Sequence, residues 1–157
     1  MILWRVATET RKYSAVDLSG AGAAISPGRW NSETQPVLYT AQSISLAVLE
    51  TAAHINSGGL PLNRFLIRIE VPDDVWVCRE EIDVAALSPI WCSIPAGQNS
   101  VNVGSRWLTS LRSPVLLVPS VIVPEERVAL INPVHSMAKN ISASIERAFE
   151  YDRLFRS

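Results

Sequence analysis

A single α+β domain is what this sequence predicts, and three observations predict it. The chain has 157 residues, which suits one domain on the usual scale of roughly 100–200 residues each. Hydrophobic residues make up 48% and charged residues 18%; that is ample material for a packed core, so intrinsic disorder and fibrous repeats are poor readings. Apolar runs of strand period outnumber those of helical period, roughly six to two or three. They do not alternate regularly, which disfavours a doubly wound parallel sheet.

Along the chain, Leu3 to Ala7 alternates around Trp4 and Val6 and reads as a first strand. Residues 8–28 form a polar, Gly/Ala/Ser-rich loop ending in Ser26-Pro27-Gly28. Pro36 opens a short strand, Val37 to Thr40. Ser43 is an N-cap, followed by Ile44, Ala47, Val48, Ala52 and Ile55 at helical spacing, and Asn56-Ser57-Gly58-Gly59 stops that helix. Arg64 to Val71 has period two, and Pro72-Asp73-Asp74 turns it into a second β run, Val75 to Cys78. Glu80 to Leu87 reads as a short helix, residues 88–98 as a loop broken by Pro89, Pro95 and Gly97, and Val103 to Leu111 as weakly helical. Val115 to Val118 and Val121 to Val123, bracketed by Pro114, Pro119 and Pro124, read as buried strands, and Arg127 to Ile131 as another. Ser136 to Ala148 has modest helical character before the terminal Phe149-Glu150-Tyr151-Asp152.

Fourteen cations against fifteen acids give a net charge of −1, which removes the bulk electrostatic footprint of a nucleic-acid coat protein. Twelve of the cations are arginine, the residue suited to bidentate recognition of phosphate or carboxylate. Cys78 and Cys92 allow at most one disulfide and no Cys-only zinc site, and their spacing relative to His54 and His135 does not point to a metal. The N-terminus shows no signal-peptide pattern, and the longest uncharged stretch, Val84 to Ser105, is interrupted by prolines and polar residues, so it does not read as a membrane span. A cytoplasmic location is the expectation.

Several residues are candidates for chemistry. Arg29, beside Trp30 and Asn31 in a tight turn after Gly28, has the donors to grip a phosphate or a flat ring, while a solvated loop arginine next to a core-edge tryptophan explains the same residues. Tyr39 ends an apolar strand, where a half-buried phenol is the ordinary reading. Glu50 sits on a helix that is apolar nearly all round and needs water, an arginine or a cleft to meet its charge. His54 follows four residues later on the same helical face, so the two read either as an acid–base pair or as a contact satisfying both groups. Ser120 ends a hydrophobic strand without the GxSxG elbow of hydrolases, and Gly20-Ala21-Gly22-Ala23 lacks both phosphate-loop patterns.

In order, these pieces resemble the RES domain family. The resemblance is carried by Gly28-Arg29-Trp30-Asn31, then Pro36-Val37-Leu38-Tyr39-Thr40-Ala41, then Ser45-Leu46-Ala47-Val48-Leu49-Glu50 with His54. Leu117-Val118-Pro119-Ser120-Val121-Ile122-Val123-Pro124 and Leu130-Ile131-Asn132-Pro133-Val134-His135 look like its second block, and Tyr151-Asp152-Arg153-Leu154 like its closing motif. It spans nearly the whole chain, so residues 1–157 are expected to be one RES domain. The resemblance implies an ADP-ribosyltransferase-like mixed sheet and the toxin of a bacterial toxin–antitoxin pair that cleaves NAD⁺ at the nicotinamide–ribose bond. The alternatives are a mono-ADP-ribosyltransferase acting on a protein and a non-catalytic module that binds NAD⁺ or ADP-ribose. Carried over residue by residue, the family's polar set falls on Arg29, Tyr39, Glu50 and Ser120, with Trp30, Asn31 and Asn132 as further lining of the NAD⁺ site. The implied partner is an Xre-type helix-turn-helix antitoxin, for which residues 8–28 offer a contact surface. Nucleic acid, membrane and metal are not expected partners, and a homodimer is left open.

Overall fold

The computed structural model describes residues 1–56 and 58–155. Seven strands form one mixed sheet in the order β4-β5-β6-β2-β1-β3-β7. The elements run β1 (Ile2–Thr8), α1 (Ala21–Ile25), β2 (Leu38–Ala41), α2 (Ile44–Ala52), β3 (Arg64–Glu70), α3 (Asp73–Trp76), β4 (Glu80–Glu81), α4 (Gln98–Ser110), β5 (Val115–Pro119), β6 (Arg127–Ile131) and β7 (Ser142–Phe149). Three short 3₁₀ turns complete the chain, at Val84–Ala86, Ser136–Asn140 and Tyr151–Leu154. The expected α+β class is the class observed. Among the described residues, no helix is long and apolar enough to cross a membrane.

The period-two alternation of β1 sorts its side chains onto two faces. Antiparallel pairing with β3 runs its full length, from Ile2↔Glu70 to Thr8↔Arg64, and its other edge meets β2 at Trp4↔Ala41. One face buries Leu3, Ala7, Leu38, Ile67, Ile69, Val115, Leu117, Ala129 and Ile131, covered by Ala15, Val75 and Ile141. The other face presents Ala41, Leu116, Val118, Val128 and Leu130 to Leu46 and Ala47 of α2, Trp107 and Leu108 of α4, and the indoles of Trp30 and Trp91. β5 is buried at all five positions, as a strand covered on both faces must be. Ser43 caps α2 as its residue type predicts, its hydroxyl accepting from the Leu46 amide at 3.1 Å.

Five local expectations are corrected. Val75–Cys78 is not a strand: Pro72 opens α3, where Asp73 and Asp74 occupy the first turn and complement the helix dipole. Glu80–Leu87 is not one helix. Glu80 and Glu81 pair in parallel with Leu116 and Leu117, and the Asp83 carboxylate caps the 3₁₀ turn behind them. Val121–Val123 forms no strand, because the Ser120 hydroxyl accepts the amides of Ile122 and Val123, both at 3.1 Å, and bends the chain into the β5–β6 connection. Ser136–Ala148 is a 3₁₀ turn followed by β7, whose seven pairings with β3 use an edge that would otherwise carry unpaired amides and carbonyls. Residues 8–28 hold the short helix α1 rather than loop alone. Helix boundaries shift as well: α4 begins at Gln98, well before Val103, and α2 closes at Ala52, before the Asn56–Gly59 stop. Ser57 lies outside the described residues.

Candidate active site

Two polar assemblies stand on the face covered by α2 and α4. The first is the turn 28–31. Asn31, 1% exposed, is its hub. Its Oδ1 accepts from the Gly28 amide and the Tyr39 hydroxyl, both at 2.8 Å, while its Nδ2 donates to the carbonyls of Ala23, Ser32 and Gln35. Tyr39 also accepts from the Trp30 amide at 3.0 Å, so its hydroxyl donates once and accepts once within the protein. Gly28 packs flat against this phenol, where a Cβ would fall 2.6 Å from Cζ. Burial pushes the Tyr39 phenol well above its ordinary range, against the smaller opposing pull of the Trp30 amide and the Arg29 charge. The Tyr39 hydroxyl thus ties β2 to the turn through one donated and one accepted hydrogen bond.

Arg29 leaves this turn half-buried, and its Nη1 donates to the carbonyls of Trp91 at 2.9 Å and Ser93 at 2.8 Å. The Trp30 and Trp91 rings stack behind it, centroids 6.1 Å apart and planes 28° apart. α4 closes the turn from the other side at Gly104. A Cβ there would lie 1.7 Å from the Trp30 carbonyl oxygen, so only glycine permits this approach.

The second assembly joins α2 to the end of β5. The Ser120 hydroxyl, on a residue 1% exposed, donates to Glu50 Oε1 at 2.5 Å while holding the two amides of its own turn. Its donor and acceptor sites are all engaged, which suits a residue that positions Glu50 and does not suit a nucleophile. Among the described residues Glu50 has no ion pair, and its second carboxylate oxygen has no hydrogen-bond donor. His54 lies beyond the end of α2, exposed and without a bond to Glu50, so neither reading of a Glu–His pair describes this arrangement.

The two assemblies share one apolar layer: Trp30, Trp91 and Tyr39 belong to the same cluster as Leu46 and Ala47 of α2 and Val121 and Val123 of the Ser120 turn. Asn132 stands elsewhere. Its amide donates to Pro114 at the start of β5, the opposite end of that strand from Ser120, and its side chain binds Leu108 O and the Val134 amide. At about 3.4 Å per residue the five-residue strand separates them by roughly 17 Å. A groove of about 410 Å³ lined by Leu18, Leu38, Ile131, Pro133, His135 and Lys139 opens on the other face of the sheet, away from Arg29 and Glu50. Reading the sequence missed Trp91, Ser93 and Gly104. The carbonyls of Trp91 and Ser93 carry no residue-type signal, whereas a glycine in mid-helix at position 104 is a visible one.

The RES domain model matches residues 2–152. The chain belongs to the RES domain family. A Prs ADP-ribosylating toxin of Sphingobium sp. is 53% identical over 95% of this chain and 92% of its own length. Proteins named Toxin Res from Yersinia enterocolitica and Pseudomonas putida are 35% and 34% identical, covering 97% and 99% of this RES domain chain and 97% and 100% of their own lengths. Among solved structures, a chain in the crystal structure of the M. tuberculosis MbcT–MbcA toxin–antitoxin complex superposes with a TM-score of 0.65 over 93% of this chain and 84% of its own, at 16% identity. That is a likeness of fold.

Proposed function

We propose that this RES domain is the toxin of a toxin–antitoxin pair and that it consumes NAD⁺ by breaking the nicotinamide–ribose bond. The observation that carries the reading is the state of Glu50: a carboxylate at the edge of an apolar layer, anchored by a neutral hydroxyl, with no cation set against it among the described residues. Such a group is preorganised for positive charge that develops on a ligand. Loss of nicotinamide leaves oxocarbenium character on the ribose, which a fixed carboxylate stabilises electrostatically. A glutamate already in a salt bridge would offer much less.

In this reading Glu50 faces the ribose and Ser120 orients it. Arg29 takes the pyrophosphate, for which a planar guanidinium is suited. Tyr39 and Asn31 hold the turn that presents Arg29, and Trp30 supports it through its stack. An antitoxin partner goes with the toxin reading and is expected to cover the Arg29 side of the molecule. Nicotinamide release from NAD⁺ by purified protein tests the chemistry. Glu50→Gln, folded as judged by circular dichroism, is expected to lose release about a hundredfold or more; full turnover by that variant would overturn the electrostatic role.

A second reading concerns the acceptor. The relative at 53% identity is named for ADP-ribosylating Prs, which favours transfer to a protein side chain over transfer to water or phosphate. Release of nicotinamide that requires an added protein substrate, with label from adenine-labelled NAD⁺ retained on that protein, would select it.

A further inference from the structure

The 88–98 loop enters the structure through its backbone carbonyls. A guanidinium carries five N–H donors in one rigid plane. Arg29 directs both hydrogens of Nη1 to the loop, at Trp91 O and Ser93 O. Nε and Nη2 meet no acceptor among the described residues. These are the two nitrogens whose hydrogens run parallel along the other edge of the guanidinium, the arrangement that binds two oxygens of one phosphate. The loop is itself folded tightly, with the Trp91 amide donating to Ser88 O at 2.9 Å and the Ser93 amide to Ile90 O at 3.1 Å. Its one deeply buried anchor is the Trp91 indole, 7% exposed and stacked on Trp30, the residue next to Arg29. The contact closes a circuit: the turn seats the loop through the two indoles, and the loop carbonyls hold the arginine of the turn.

We propose that the Trp91–Ser93 segment is a wall of the dinucleotide site and that Trp91 is a positioning residue which fixes Arg29 with its Nε/Nη2 edge turned toward the pyrophosphate; this rests on the reading of Arg29 as the pyrophosphate ligand. A free arginine on a turn must be immobilised when the phosphate arrives, and the two carbonyls do so in advance.

The test separates binding of the pyrophosphate from everything else the loop does. Trp91→Leu removes the stacked anchor, and Trp91→Phe keeps an aromatic ring there. Cys92→Gly, at an exposed position between the two carbonyls, loosens them without touching the core. Readouts are KM and kcat for nicotinamide release from NAD⁺, with inhibition constants for ADP-ribose, which carries the pyrophosphate, and for nicotinamide, which does not. Trp91→Leu is expected to raise KM and the ADP-ribose constant about threefold to tenfold, leaving kcat and the nicotinamide constant within about twofold. Trp91→Phe should restore most of the loss, and Cys92→Gly should shift the same two constants in the same direction. In an Arg29→Ala background Trp91→Leu should add nothing further. Equal weakening of ADP-ribose and nicotinamide, or a Trp91→Leu effect that persists without Arg29, would make Trp91 a packing residue only. Where Trp91→Leu does not fold, Cys92→Gly decides, and unchanged constants in that variant overturn the proposal. If Arg29→Ala leaves ADP-ribose inhibition untouched, or the wild type releases no nicotinamide either alone or with a protein acceptor present, the parent reading falls and takes this one with it. If Arg29→Ala is selective for ADP-ribose while the loop variants are not, this proposal alone falls.

Discussion

Tyr39→Phe removes a single oxygen whose bonds are counted in full. That hydroxyl donates to Asn31 Oδ1 at 2.8 Å and accepts from the Trp30 amide at 3.0 Å. Asn31 Oδ1 keeps its bond from the Gly28 amide, so the loss there is an ordinary net hydrogen bond, about 0.5–1.5 kcal/mol. The Trp30 amide is left without an acceptor on a residue only 3% exposed, which costs about 1–3 kcal/mol. The phenyl ring fills the same space, so no cavity cost arises. The total is about 1.5–4.5 kcal/mol, and for a chain of 157 residues that lowers Tm by roughly 3–18 °C. Thermal unfolding by calorimetry measures it, with Tyr13→Phe as the control, since the Tyr13 hydroxyl makes no hydrogen bond among the described residues. A Tyr39→Phe shift no larger than the control's would refute the claim that this phenol pins the turn carrying Arg29.

Three further outcomes are expected. Gly104→Ala sets a methyl against the Trp30 carbonyl, so α4 or the turn must move; the urea midpoint should fall by an amount equivalent to about 2–3 kcal/mol, and an unchanged midpoint would disprove the close approach. Ser120→Ala deprives Glu50 of a charge-assisted donor worth about 1.5–3 kcal/mol, so kcat should drop roughly tenfold to a hundredfold with little change in KM; undiminished kcat would remove Ser120 from the site. Burial raises the phenols of Tyr39 and Tyr151. Because each folded-state pKa exceeds the ordinary value, that contribution to stability is complete below about pH 10 and is lost as the pH rises beyond it. Ultraviolet titration should show Tyr39 and Tyr151 ionising later in the native protein than in urea, with the Tyr39 component lost in Tyr39→Phe; ionisation of both where they ionise in urea would contradict the burial.

Much of the fold was legible because local pattern and tertiary role agreed. β1, β2, α2, β3, β5 and β6 lie where alternation, helical spacing and the Ser43 cap place them, to within a few residues. The misreadings share a cause. Val75–Cys78, Val121–Val123 and Ser136–Ala148 are short or weakly patterned, and partners distant in the chain, or a side chain capping its own turn, outweighed propensity. β7 shows this most clearly: exposed through most of its length, it carries little hydrophobic signal and owes its existence to the open edge of β3.

The candidate site divides along the same line. Sequence by itself determined the chemical types, namely an isolated carboxylate on an apolar helix, an arginine in a glycine turn, a strand-end tyrosine and a strand-end serine, because such residues stand out against their neighbours. It also named Trp30, Asn31 and Asn132, without distinguishing a ligand contact from a structural one. Only the tertiary structure decided which groups these side chains meet within the protein. It brought Ser120 to Glu50 across 70 positions of chain. It engaged Asn31 and Asn132 with main-chain groups, and it set the carbonyls of Trp91 and Ser93 on Arg29. The physical reason is that a hydrogen bond depends on the position and direction of two groups. Main-chain carbonyls are alike at every residue, so which of them faces a guanidinium is settled by how the sheet, α2 and α4 pack.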